Sequence, residues 1–366
     1  MNAHPHFSPT YAVARARFLA AAQRCDLDVA SHLHPLIGPQ GETLALDVVR
    51  DGPRRAERLL IVSSGCHGIE GHVGSALQIA LLHDSDWRAS AREAGIAVLY
   101  LHALNPHGFA WGRRTTQENV DLNRNFNDFA QPLPRNSAYD EMAGLLVPHR
   151  WPPSEAVEAA LGQLLAQRGW AEMQQAISCG QHEHPEGLFY GGRNPTWSQV
   201  TLRQLLRDHG RHCARLGWID LHSGLGPCGV GERIFEGRWG DETEGLRRAR
   251  AWWGDEVTSI DDGDSVSSAV SGQMLRSLYA ECPQAECTGI TLELGTVPLM
   301  QVITALRAEQ WLENHPETPA PAAAEIRQQF RAAFYPDSDA WKQQVLAQAL
   351  DVARQAVAGL RTDSAC

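Results

Sequence analysis

Residues 59–71 read Leu-Leu-Ile-Val-Ser-Ser-Gly-Cys-His-Gly-Ile-Glu-Gly, and the fold follows from how this stretch divides. Leu59 to Val62 form an unbroken apolar run, the length of a strand buried on both faces. Gly65 and Gly68 permit a sharp turn. Beyond Glu70, apolar residues at Val73, Leu77, Ile79, Ala80 and Leu81 predict a mostly buried helix. His67 and Glu70 therefore lie where a buried strand hands over to a helix, the edge of an open α/β sheet at which ligands collect. An imidazole and a carboxylate three residues apart can converge on one cation, leaving a third ligand to come from elsewhere. HxxE alone is a weak signal, because a turn histidine beside a helix-start acid is common.

The chain around it alternates strands and helices. A helix is expected over 8–24, and an edge strand over Thr43–Val49 before the Asp51-Gly52-Pro53 turn. Ile96–Leu101 is a second buried strand, ending at Asn105-Pro106-His107-Gly108. Residues 111–129 are too polar and irregular for a core element, as functional loops are. Residues 131–153 are Pro-rich and irregular, and 180–192 form a glycine-bounded loop. Glu155–Arg168 and Ser198–Leu216 have amphipathic helical spacing. Further strands are expected at Leu216–Leu221, Arg233–Phe235 and Ile290–Leu294. A Trp-rich helix is expected around 241–253 and another from Val297 onward. Residues 316–321 read as a turn, and a last helix begins near Ser338. The pattern predicts one α/β domain spanning 1–366. Its central twisted sheet would be mixed and largely parallel, with helices on both faces and C-terminal helices over 322–361 packed against it.

Bulk properties narrow the function. The 366 residues are 43% hydrophobic and 20% charged, enough for a substantial core. A formal net charge of −11 disfavours nucleic acid and anionic membranes as partners. No run reaches the length of a membrane span, and the first ten residues lack a secretory pattern, so a cytoplasmic location is expected. The eight cysteines include no CxxC and indicate neither a disulfide framework nor a thiolate metal site. Cys282 and Cys287 are close enough to bridge, but reduced thiols are expected. The oligomeric state is not legible.

Three strand ends carry unusual residues: His67 with Glu70, His222 with Asp220 beside it, and Glu293 inside an apolar strand. A carboxylate between Leu292 and Leu294 needs a cation, a hydrogen-bond network or a pocket. Parallel strands bring their C-terminal ends to one rim, so these distant residues can share a cleft. Two imidazoles and one carboxylate leave an open coordination position, the arrangement of catalytic rather than structural zinc.

The segments GCHGIEG (65–71), NPHGFAWGRRTTQENVDLNRNF (105–126), WIDLHSG (218–224) and TLELGT (291–296) occur in the order found in the M14 zinc carboxypeptidases. Together with GQHEHPEGLFYGG (180–192), they resemble the bacterial DUF2817-type subgroup in particular. The resemblance covers about 59–297. It implies one zinc ion per chain held by His67, Glu70 and His222, with Glu293 as the catalytic carboxylate. It implies that Arg114 steadies the oxyanion, that Asn123 and Arg124 hold a terminal carboxylate, and that Asp121 orients His67. The expected substrate is a small peptide, with an N-acyl amino acid as the alternative for a related amidase or deacylase. Residues 130–200 exceed the spacing of the digestive enzymes and could roof the cleft. The assisting phenol of the family has two candidates, Tyr190 and Tyr279. The His182/His184 pair reads as structural rather than as a second metal site.

Overall fold

A computed structural model describes residues 5–237, 242–260, 262–263 and 265–362. Its strands are β1 (Val29–Ile37), β2 (Thr43–Asp51), β3 (Arg58–Ser64), β4 (Ile96–His102), β5 (Arg215–Gly224), β6 (Gly231–Phe235), β7 (Thr258–Ser259) and β8 (Glu286–Gly295). They form one mixed sheet in the order β1-β2-β4-β3-β5-β8-β6-β7. The central block β4-β3-β5-β8 is parallel. β2 and β6 flank it antiparallel. Apolar runs rather than alternating patterns mark the central strands, because both faces of a parallel sheet are covered.

Alternation along each strand then sorts the side chains. Leu60, Val62, Ile219, Leu221, Ile290 and Leu292 join Val73, Leu77, Val352 and Leu360 in one core. These last four come from the helices Gly71–His83 and Asp339–Arg361. Leu59, Ile61, Leu99, Leu216 and Trp218 pack on the other face with Leu202, Leu205 and Leu206. A third cluster joins the helices Trp170–Ser178, Leu299–Asn314 and Ala320–Phe334 through Met173, Ile177, Leu306 and Phe330. No helix among the described residues is long and apolar enough to cross a membrane.

Several expectations shift. Thr43–Val49 is a strand but not the edge, since β1 pairs outside it. β1 escaped notice because eight of its nine residues are exposed or half-exposed in no regular alternation, His34 being the one buried residue. The helix expected to reach Leu216 stops at Gly210. A Cβ there would meet the Cys282 sulfur at 2.6 Å, and Leu216 already belongs to β5. The expected 316–321 turn gives way at Ala320 to a helix with proline in its first turn, where no amide hydrogen is missed. Residues 131–153 hold only the short helices Ser137–Asp140 and Ala143–Leu146. Residue 241 of the Trp-rich helix lies outside the described residues; the helix runs Glu242–Trp253. Cys282 and Cys287 are not joined in a disulfide.

Candidate active site

β3, β5 and β8 end side by side, and the loops leaving them build one cleft. His67 precedes the single 3-10 turn Gly68–Glu70, which hands the chain from β3 to the buried helix Gly71–His83. The turn is clamped from outside: the Gly68 and Ile69 amides donate to the carbonyls of Arg114 and Arg113, at 3.0 and 2.8 Å. Gly68 has no substitute there, since a Cβ would lie 2.0 Å from the Gly108 carbonyl carbon. The GCHGIEG and NPHG segments are thus interlocked through backbone. On β5, Trp218, Asp220 and His222 alternate onto one face. The parallel register sets His222 directly beside Glu293 on β8.

His67 and His222 are each 3% exposed, and their rings meet edge to face with centroids 5.0 Å apart. His67 Nε2 lies 3.1 Å from Asp121 Oδ1, and His222 Nε2 lies 2.5 Å from Asp220 Oδ2. With those carboxylates accepting the Nε2 hydrogens, each ring in its neutral form turns its Nδ1 lone pair inward. Both lone pairs point at Glu70, with His67 Nδ1 2.9 Å from Oε1 and His222 Nδ1 3.0 Å from Oε2. Lone pairs facing a carboxylate at that distance repel unless a positive charge sits among them. The three donor atoms all lie within 4.8 Å of one another, and two nitrogens with one oxygen suit zinc.

Protonation of His222 answers the same demand for positive charge. Burial opposes charge on His222, but Asp220 and Glu70 outweigh it and raise its pKa well above the usual histidine value. Burial likewise favours neutral Glu70, yet His67 and His222 hold it well below the usual carboxylate range. The neighbouring trio Cys66, Asp220 and His222 also lies within reach of a common point. Burial and then the charge of Asp220 push the Cys66 thiol well up, so it stays a neutral, poor ligand.

Asp121 accepts from Arg114 Nε at 2.9 Å as well as from His67. Burial raises its pKa, but Arg114, His67 and Arg124 outweigh that and hold it well below the usual value. Arg114 also reaches Glu70 Oε1, at 3.3 Å through Nη1. Arg124 spends Nε and Nη2 on the Ser178 carbonyl and one Nη1 hydrogen on that of Asn123. Of its five N–H groups, two remain. Both guanidiniums lie over the ring of Phe189, at 5.3 and 5.4 Å. Asn123 accepts the Met274 amide on Oδ1 at 2.8 Å. Glu293, 8% exposed, accepts the Leu225 amide at 2.8 Å. Burial, then the charge of Glu70, lifts its pKa to about 7.

His67, Glu70, His222, Glu293, Arg114, Asn123 and Arg124 all line this one cleft. Gln174, Ile177, Ser178 and Phe189 line it too, so part of the 130–200 segment forms its wall. Tyr190 does not line it. Its carbonyl accepts the Asp121 amide at 2.8 Å, and its neighbour Phe189 takes the wall position. Tyr279 is also outside; its hydroxyl donates to the Glu236 carbonyl. His182 and His184 diverge, one to the Gly192 carbonyl and the other to Asp140. Two acids were not assigned roles from sequence. Asp220 orients His222, a role its i,i+2 spacing on a strand could have suggested. Glu236, just beyond β6, lines the cleft without any motif to flag it.

No curated protein sequence matches the chain. Among solved structures it is similar to carboxypeptidase A from Helicoverpa armigera, with 13% identity over 88% of this chain and 73% of that one, at a TM-score of 0.43. It is similar to a metallo-carboxypeptidase from Pseudomonas aeruginosa, with 14% identity, coverage of 92% and 69%, and a TM-score of 0.40. Bovine thrombin-activatable fibrinolysis inhibitor gives 11% identity, coverage of 94% and 98%, and a TM-score of 0.46. The family model described as "Protein of unknown function (DUF2817)" matches residues 7–348, and the chain belongs to that family.

Proposed function

We propose that the protein is a zinc-dependent hydrolase of carboxypeptidase type, cleaving an amide bond next to a free carboxylate. One observation carries this reading: two imidazole lone pairs and the Glu70 carboxylate converge in a cleft where Glu293 stands beside His222 in strand register. His67, Glu70 and His222 would hold one zinc ion per chain, with Asp121 and Asp220 fixing the rings. When bound there, zinc supplies Lewis acidity and lowers the pKa of a water molecule to about 7. Glu293 is placed to hold a proton taken from water and to deliver it to the leaving amine, a role suited to a carboxyl whose pKa burial has raised to about 7. Arg114 places a guanidinium where charge develops on the scissile carbonyl oxygen. Asn123 and the uncommitted N–H groups of Arg124 hold the substrate's carboxylate.

A second reading, hydrolysis of N-acyl amino acids, draws on the other wall of the cleft. Leu225, Leu299, Val302, Ile303, Leu306 and Phe334 offer an apolar surface that suits an acyl chain. The test is metal analysis of wild type and His222→Ala, with hydrolysis of short peptides and N-acyl amino acids followed side by side. Near-stoichiometric zinc in wild type, its loss in the variant, and amide hydrolysis by the loaded protein are expected. Retention of zinc by His222→Ala would refute the ligand set.

A further inference from the structure

The cleft is lined in part by residues that the proposed reaction does not use. Glu236 is one of them, 3% exposed. Its Oε1 accepts from the Thr291 hydroxyl at 3.0 Å, while its Oε2 is buried with no hydrogen-bond partner. Gln273 lines the same cleft, also 3% exposed, and neither atom of its amide has a partner. Unmatched buried polar atoms are rare in folded proteins, and here three of them belong to two residues that line one cleft. Two are acceptors, the Glu236 oxygen and the Gln273 carbonyl. One is a donor, the Gln273 amide nitrogen. A ligand that completes this set brings N–H groups, and beside a buried carboxylate it brings positive charge.

Position says which part of the substrate that would be. Thr291 and Glu293 are alternate residues of β8, so they share a face about 7 Å apart. Gln273 adjoins Met274, whose amide is held by Asn123 Oδ1. The unmatched set therefore sits next to both the catalytic carboxylate and the carboxylate clamp. It is where the side chain of the residue bearing the free carboxylate would extend. Other groups also act on Glu236. Burial is the largest influence on Glu236 and raises its pKa; His222 and Arg276 lower it, and Asp220 raises it. Arg276 lines a neighbouring cavity that Gln273 also borders.

We propose that Glu236, Gln273 and Thr291 form a specificity pocket for a cationic substrate side chain, an amine or guanidinium, on the residue that carries the free carboxylate. This rests on the hydrolase reading above, and Glu236 acts by binding rather than in proton transfer.

The test uses the zinc-loaded full chain. Calorimetric binding of free lysine, arginine, norleucine and glutamate is measured on wild type, Glu236→Gln and Gln273→Leu. Hydrolysis of N-acyl dipeptides ending in the same four residues is followed in parallel. Wild type should bind lysine or arginine at least 10²-fold tighter than norleucine, and kcat/KM should follow the same order. Glu236→Gln should erase that preference while keeping its zinc content. Gln273→Leu should narrow it, which leaves a readout if the first variant folds poorly. Equal binding of lysine and norleucine, a preference for glutamate, no binding of any of the four, or an unchanged preference in both variants would overturn the pocket. Unselective hydrolysis would sink the pocket and leave the hydrolase standing. Selective binding without hydrolysis of any dipeptide would do the reverse.

Discussion

Asp220 receives hydrogen bonds from His222 Nε2 and from the Ser63 hydroxyl, which in turn accepts from the Trp218 indole at 2.6 Å. This buried chain determines which nitrogen of His222 faces Glu70. Asp220→Asn keeps the shape but can offer its amide N–H to the ring, reversing the tautomer. It should weaken zinc binding by about 10- to 100-fold, measured by competition with a chelator. Glu293→Gln should keep its zinc and its melting temperature while kcat falls about 10²- to 10⁴-fold. Normal turnover in that variant would remove Glu293 from proton transfer. At this scale the sequence was legible wherever a charged group interrupted an apolar strand end, as at His67, Glu70, His222 and Glu293. It was not legible in the loop 180–192. There Phe189 adopts a positive φ of 54°, which breaks any simple alternation, and the cleft position falls to Phe189 rather than Tyr190.

Between elements, the decisive contact is backbone on backbone. Gly68 sits against Gly108 so closely that the turn carrying Glu70 and the loop carrying Arg114 cannot separate without losing two amide hydrogen bonds. Gly68→Ala should therefore destabilise the protein by about 1–3 kcal/mol, read from denaturant midpoints, and weaken zinc binding at the same time. Unchanged stability would mean that the two segments are not clamped. The glycines were visible as turn residues, but their mutual contact was not, because residues 68 and 108 meet only through the β3–β4 pairing. The same limit hid β1, whose exposed side chains give it no hydrophobic signature. The central strands were readable because burial on both faces writes itself as uninterrupted apolar runs.

For the molecule as a whole, buried histidines set an acid limit. Burial is the main cause that lowers His72 to about 3 and His102 to about 4, against 6.5 for a free imidazole. The unfolded chain binds those protons more readily. Each histidine thus adds stability that is complete above about pH 6.5 and is lost as pH falls toward the folded value. Glu309 runs the other way: burial lifts it to about 7, so its contribution is complete below about pH 4.5 and is lost as pH rises through 7. His102→Gln should make the fall in unfolding free energy between pH 6.5 and 5 shallower by about 2 kcal/mol than in wild type. Glu309→Gln should make it steeper. Parallel curves for wild type and both variants would show that neither group titrates on folding. The division of labour across the sheet has a further consequence. The proposed ligands and Glu293 stand at the ends of three adjacent central strands, whereas much of the cleft wall comes from segments outside that block. On the proposed reading, selection can alter what the cleft accepts by editing peripheral segments, while affinity for the ion stays under separate control. Relatives with the same strand-end residues and unlike walls should differ in diet more than in chemistry.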